Sequence, residues 1–196
     1  PGTELAGQRP ALRRLLLRRL AEDAAGRPVP AAAERAEELL ALCGRPGSAE
    51  LALEGGVRAL AEYGALRFAA GAPPVAPAPQ RLPVPGAVRF GSWLVQAESC
   101  AARVCEGALD ADSLTGELRV RGWRPGDRMA PLGLGGTRTL QDLFTDRKLA
   151  RERRRSWPVV ESAGVIAWVP GIATAEQFRI TSTTTRAVRL SADPVS

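Results

Sequence analysis

The chain has 196 residues, 45% of them apolar and 24% charged, with a net charge of +6 and no histidine. That length supports one ordinary domain or two small ones, and no apolar run approaches the roughly 20 residues that span a bilayer. Without imidazole the commonest general base is missing, and so is every zinc site that needs one.

The opening Pro1-Gly2-Thr3-Glu4 lacks a charged region followed by an apolar one, which leads us to expect no secretory signal and a piece of a longer protein. Leu12, Leu15, Leu16 and Leu20 then recur at helical spacing, with Arg14 and Arg18 across from them, until Gly26 supplies a stop. The pattern predicts a helix that buries this leucine stripe. Pro28 and Pro30 separate it from a second helix. There Ala33, Ala36, Leu39, Leu40 and Cys43 share one face, Glu34, Glu37 and Glu38 take the other, and Gly44 caps the end. After Gly47 the period changes to two: 49–54 and 57–63 read as a hairpin around Gly55-Gly56, and 65–68 extends it past Gly64.

Residues 71–79 hold four prolines, an extended and semi-rigid stretch poor at entering a sheet. The expected organisation is therefore a small helical unit with a hairpin at 1–70, a Pro-rich linker at 71–80, and a β-rich domain with two short helices at 81–196. The fold class is α+β. In the second domain strands are expected at 87–90, 92–97, 101–106, 117–123, 158–161, 164–169, 177–181 and 187–190. Thr139 with Asp142 has the form of a capping box opening a helix that buries Leu140, Leu143 and Phe144, and 151–157 forms the second helix.

The excess charge sits in one place. Residues 121–155 carry ten cationic side chains against four acids, a surplus equal to the net charge of the whole chain. A surplus confined to so short a stretch makes a local positive potential that attracts a polyanion. Its sharpest part is Arg151-Glu152-Arg153-Arg154-Arg155, where a helix brings Arg151 and Arg155 together at i,i+4 with a like-charge cost of roughly 0.2–0.5 kcal/mol. Arg124-Pro125-Gly126-Asp127-Arg128 reads as a turn, open to two uses: Asp127 neutralises an arginine, or the turn mounts guanidinium forks for phosphates. Gly133-Leu134-Gly135-Gly136-Thr137 could form an anion nest, but it lacks the spacing of a nucleotide-binding P-loop and suits a tight chain path better. Trp93, Trp123, Trp157 and Trp168 fit a core better than a base-stacking platform. Cys43, Cys100 and Cys105 are expected to be buried thiols in a reducing compartment, not metal ligands. The carboxylates are scattered and no serine or threonine has a recognisable base beside it. On its residues alone the chain reads as a binding module.

The stretch from Arg121 to Val160 resembles the C-terminal domain of the tRNA(Ile)-lysidine synthetase family. The likeness lies in the Gly-Asp-Arg turn at 126–128, the Pro131-Leu132-Gly133 loop, the Leu140-x-x-Leu143-Phe144 helix face and the Arg-rich helix leading into Pro158. Ile166-Ala167-Trp168-Val169-Pro170-Gly171 fits the strand that closes that domain, and Ala150 departs from the proline usual at its position. Residues 1–70 are similar to the family's middle, substrate-binding domain.

The resemblance implies the tRNA-binding half of an RNA-modifying ligase. Such enzymes use ATP with Mg²⁺ to adenylate C2 of the wobble cytidine of a CAU-anticodon tRNA(Ile), and lysine then displaces AMP. The ATP chemistry belongs to an N-terminal domain with a Ser-Gly-Gly-x-Asp-Ser loop, a run absent from this sequence. Expected here are therefore no catalytic residue, cofactor or metal, no ATP turnover by this chain alone, and a cytoplasmic protein whose partners are tRNA(Ile) and a catalytic domain. A homodimer is left open. The tRNA-binding candidates are Arg124, Arg128, Arg138, Arg147, Lys148, Arg151, Arg153, Arg154 and Arg155, placed at the acceptor stem. A docking module that orients a partner through its apolar strands is the competing reading.

Overall fold

Helix α1 (Pro10–Ala25) opens on a proline, which gives up no hydrogen bond in the first turn, and closes on Gly26 in the left-handed region, whose N–H returns to the Glu22 carbonyl at 2.8 Å. The computed structural model describes residues 7–45, 48–73, 75–101 and 108–195. They form two units, Pro1–Pro73 and Pro74–Ser196.

In the first unit α1 is followed by α2 (Ala31–Glu34) and α3 (Ala36–Cys43), so the expected second helix is broken at Arg35. Strands β1 (Ser48–Ala52), β2 (Val57–Glu62) and β3 (Ala65–Ala70) make an antiparallel meander. Tyr63 and Gly64, both at positive φ, form the two-residue β2–β3 turn whose twist matches the strands. The core joins Leu17, Ala21, Val29, Ala32, Ala36 and Leu39 to Val57, Ala59 and Phe68.

The leucine stripe of α1 is a correction. Leu12, Leu15, Leu16 and Leu20 are exposed, Leu15 at 64%, while Leu17 and Ala21 meet the sheet. The run Leu15-Leu16-Leu17 offers the helix two apolar faces, and the small side chains of Ala32, Ala36 and Ala59 accept the one carrying Leu17. Leu17→Ala is expected to destabilise this unit by about 2–5 kcal/mol, whereas Leu15→Gln should stay within about 0.5 kcal/mol. Urea unfolding followed by circular dichroism distinguishes the two faces.

The second unit stacks two antiparallel sheets. One orders β13-β12-β11-β8-β4, from β4 (Gln80–Leu82), β8 (Leu118–Gly122), β11 (Pro158–Ser162), β12 (Val165–Val169) and β13 (Ala173–Thr174). The other orders β5-β6-β14-β7, from β5 (Gly86–Phe90), β6 (Trp93–Ala101), β7 (Leu109–Asp110) and β14 (Arg186–Pro194). A small ribbon pairs β9 (Arg128–Met129) with β10 (Arg138–Thr139), and the helices are α4 (Leu140–Asp146) and α5 (Arg151–Arg154). Val160 packs with Phe90, Val95 and Val188 between the sheets, and its neighbour Val159 packs with Leu140, Leu143 and Phe144 on the other face. Strand β11 is thus covered on both sides at Val159 and Val160, which is why apolar residues stand at two successive positions there.

Three expectations change here, and a fourth falls outside the described residues. Gln177–Thr181 is not a strand: a single 3₁₀ turn covers Glu176–Phe178, and the chain then bends through a cluster of threonine hydroxyl contacts. Strand β4 follows the prolines directly, because Gln80 and Leu82 lie beyond the last of them and pair with β8. The strand expected at 101–106 lies, apart from Ala101, outside the described residues. Cys100 is disulfide-bonded and so is not the buried thiol expected, whereas Cys43 is a free, half-buried thiol whose burial pushes its pKa up; Cys105 is outside the described residues.

Candidate nucleic-acid interface

The turn at Arg124 has Pro125 and Gly126 in its central positions, Gly126 at φ 89, and an Asp127 N–H to Arg124 carbonyl bond of 3.1 Å. Proline followed by a positive-φ glycine gives a type II turn. The Asp127 carboxylate accepts the Arg124 N–H at 2.8 Å and forks with the guanidinium of Arg121 at 2.7 and 3.0 Å. Glu161 on β11 takes Arg121 Nε at 2.6 Å, and the Gly122 carbonyl takes a further N–H. Arg121 is 5% exposed. Burial opposes its charge, yet the hydrogen bonds it donates to Asp127 and Glu161 outweigh that and raise its pKa above the ordinary arginine value. Asp127 therefore neutralises a buried arginine and mounts two exposed ones, Arg124 and Arg128.

From this turn the sites continue through bonded neighbours. Arg128 stands opposite Thr139 in the β9–β10 ribbon, and the Leu140 N–H donates to the Asp127 carbonyl at 2.8 Å. Thr139 caps α4, accepting the Asp142 N–H at 3.1 Å while its hydroxyl donates to the Asp142 carboxylate at 2.6 Å. Arg138 is half-buried and reaches Asp146 at the far end of α4, at 2.8 Å.

Helix α4 ends in a Schellman motif. Lys148 N–H bonds the Thr145 carbonyl at 2.9 Å, Leu149 N–H bonds that of Phe144 at 2.8 Å, and Phe144 and Leu149 are both buried. The left-handed position belongs to Lys148, φ 53, where glycine is the ordinary occupant. A lysine here costs about 1 kcal/mol of strain. Lys148→Gly is expected to raise stability by roughly 0.5–1 kcal/mol and at the same time to weaken polyanion binding. Thermal melting paired with RNA titration reads both.

Arg154 is removed from the surface. At 6% exposure it donates Nε to the Leu149 carbonyl at 2.9 Å and lies over the Phe144 ring at 5.9 Å, so it fastens α5 to the end of α4 and is not presented to a ligand. Arg151, Arg153 and Arg155 of the same segment are exposed, Arg153 above Trp157 at 5.5 Å. At Gly122 a Cβ would lie 2.5 Å from the Arg155 carbonyl, so glycine is what lets this segment abut β8. Arg147 and Lys148 are exposed as well.

The tryptophans serve the core. Trp93 and Trp157 meet edge to face at 4.7 Å, Trp123 meets Phe144 at 6.1 Å, and Trp157 Nε1 donates to the Pro170 carbonyl. The Gly133 loop is not an open nest, because Gly133 N–H already donates to Glu176 at 2.9 Å. That bond, joined by the ion pair to Arg179, holds Glu176 below the usual carboxylate pKa. Sequence reasoning missed Glu161 as a partner of Arg121 and missed the burial of Arg154.

Fold and charge together define a mixed α+β module of two stacked antiparallel sheets, with basic side chains on two short helices, a turn and a ribbon. Residues 118–191 match the family model of the TilS substrate C-terminal domain. The chain is 34% identical to the tRNA(Ile)-lysidine synthase of Symbiobacterium thermophilum over 97% of its own length and 43% of that protein's. It is 48% identical to the enzyme of Geobacter sulfurreducens over 32% of its length and 13% of that protein's. A crystal structure of a TilS C-terminal domain superposes with a TM-score of 0.55 at 29% identity, covering 61% of this chain and 99% of that one. The chain thus spans less than half the length of the relative that it matches end to end.

Proposed function

We propose that this chain is the tRNA-gripping part of an ATP-dependent tRNA(Ile)-lysidine ligase. The C-terminal unit holds the acceptor stem, the first unit serves as the middle, substrate-binding domain, and the pair presents the wobble cytidine to a catalytic part outside these 196 residues. ATP with Mg²⁺ and lysine are consumed there, in the cytoplasm, and this chain supplies position alone.

The observation that carries the reading is the set of exposed cations on bonded neighbours: Arg124, Arg128, Arg147, Lys148, Arg151, Arg153 and Arg155. Their mounts are rigid because the Arg121 fork, the Thr139 cap and the Arg154 tether fix the turn and both helices. An A-form stem offers phosphates and 2′-hydroxyls in a fixed geometry and hides the base edges of its deep major groove, so a rigid array of guanidinium groups is the chemistry that reads it. A hydroxyl-radical footprint of this chain on tRNA(Ile) checks the reading. Protection confined to the acceptor stem is expected; protection confined to the anticodon arm would contradict it.

A further inference from the structure

Beside the basic array lies a pocket of another character. It has a volume of about 270 Å³ and lies between the Pro131–Gly136 loop, α4 and β13, with Leu132, Leu134 and Ile172 on its walls and Arg138, Asp146 and Arg147 around it. Leu132 and Leu134 are 50% and 58% exposed, two large apolar side chains in a loop otherwise rich in glycine. The loop is fastened all the same. Leu132 N–H donates to the Thr174 carbonyl at 2.8 Å, Gly133 N–H to Glu176 at 2.9 Å, and Glu176 N–H to the Ala130 carbonyl at 2.8 Å. The leucines are therefore held out in place by a rigid loop.

We propose that this pocket takes one unstacked nucleotide flanking the bound stem, an inference that rests on the RNA-binding reading above. The volume falls at the small end of ligand sites, so a duplex cannot enter and a single base can. An apolar wall suits the face of a base. The ion pair of half-buried Arg138 with exposed Asp146 sets a donor beside an acceptor, which matches a base edge carrying both a carbonyl and an amino group, as in cytosine or guanine. A free phosphate is disfavoured, because the Asp146 carboxylate would repel it, while Arg147 one residue on is placed to meet the phosphate attached to an inserted nucleotide.

The test uses one RNA hairpin, blunt or extended by a few unpaired 3′ nucleotides, titrated against the wild-type chain and against Leu134→Ser and Asp146→Asn. Leu134 and Asp146 are both exposed, and a matching melting temperature confirms that each variant is folded. The extended hairpin should bind the wild type roughly tenfold more tightly than the blunt one, as stacking of one base would give. Leu134→Ser should erase that preference and leave blunt-hairpin affinity unchanged, and Asp146→Asn should weaken it for cytosine and guanine. Equal wild-type affinity for the two hairpins overturns the pocket while leaving the stem reading intact, and so does a preference that survives Leu134→Ser, the result expected if the pocket instead receives a peptide. Failure to bind either hairpin overturns the RNA reading and the pocket with it.

Discussion

Arg121→Ala is expected to destabilise the C-terminal unit by about 3–5 kcal/mol, the largest effect of any single substitution considered in this protein. The magnitude follows from what remains behind. Asp127 and Glu161 have side chains only 12% and 17% exposed, and without the guanidinium both keep buried charges with no counter-ion. The turn at Arg124 also loses its anchor to β8. The triple change Arg121→Met, Asp127→Asn and Glu161→Gln should recover much of the loss, since removing all the charges together avoids the orphaned carboxylates. All four tryptophans of the chain lie at or beyond residue 93, so fluorescence-monitored urea unfolding reports on this unit without interference from the first. A loss below about 1 kcal/mol for Arg121→Ala would mean that the fork is not what holds the turn.

The largest functional effect is expected from reversing charge at Arg151, Arg153 and Arg155 together. Arg154 is left alone, because its bonds to Leu149 and its place over Phe144 make it part of the fold. Each lost phosphate contact removes about one unit of salt dependence, and each introduced carboxylate repels the backbone, so tRNA affinity at moderate salt should fall on the order of a hundredfold. The fold should survive, as these three side chains are exposed. The competing reading, a module that docks a partner through apolar burial, predicts unchanged partner binding in the same variant.

What could be read from the sequence was local. Gly26, the Thr139 cap and the type II turn at Pro125-Gly126 each depend on residues within a few positions of one another, and all three stand where the pattern put them. The confinement of charge to residues 121–155 was equally visible, as it needs only counting. Selection among equivalent faces was not. Helix α1 carries leucine on more of its surface than a small sheet can cover, and the partner chosen by Leu17 is decided by Val57, Ala59 and Phe68, some 40 or more residues on. The division of the arginines into buried and exposed was hidden for the same reason. Arg121 finds Glu161 across 40 positions, and Arg154 is buried because Phe144 and Leu149 close over it, facts of tertiary packing that no helical period reveals. The nine candidates are thus sorted by structure into one that fastens, Arg154, one half-buried and paired, Arg138, and seven exposed.

The central claim is that these exposed cations bind the phosphates of a tRNA stem, and its most direct test is the affinity of this chain for tRNA(Ile) measured from low to physiological salt. If about five side chains neutralise phosphates, log affinity against log salt should fall with a slope on the order of −4, reduced by two to three units in the Arg151, Arg153 and Arg155 reversal variant. A flat dependence in the wild-type chain would contradict the account.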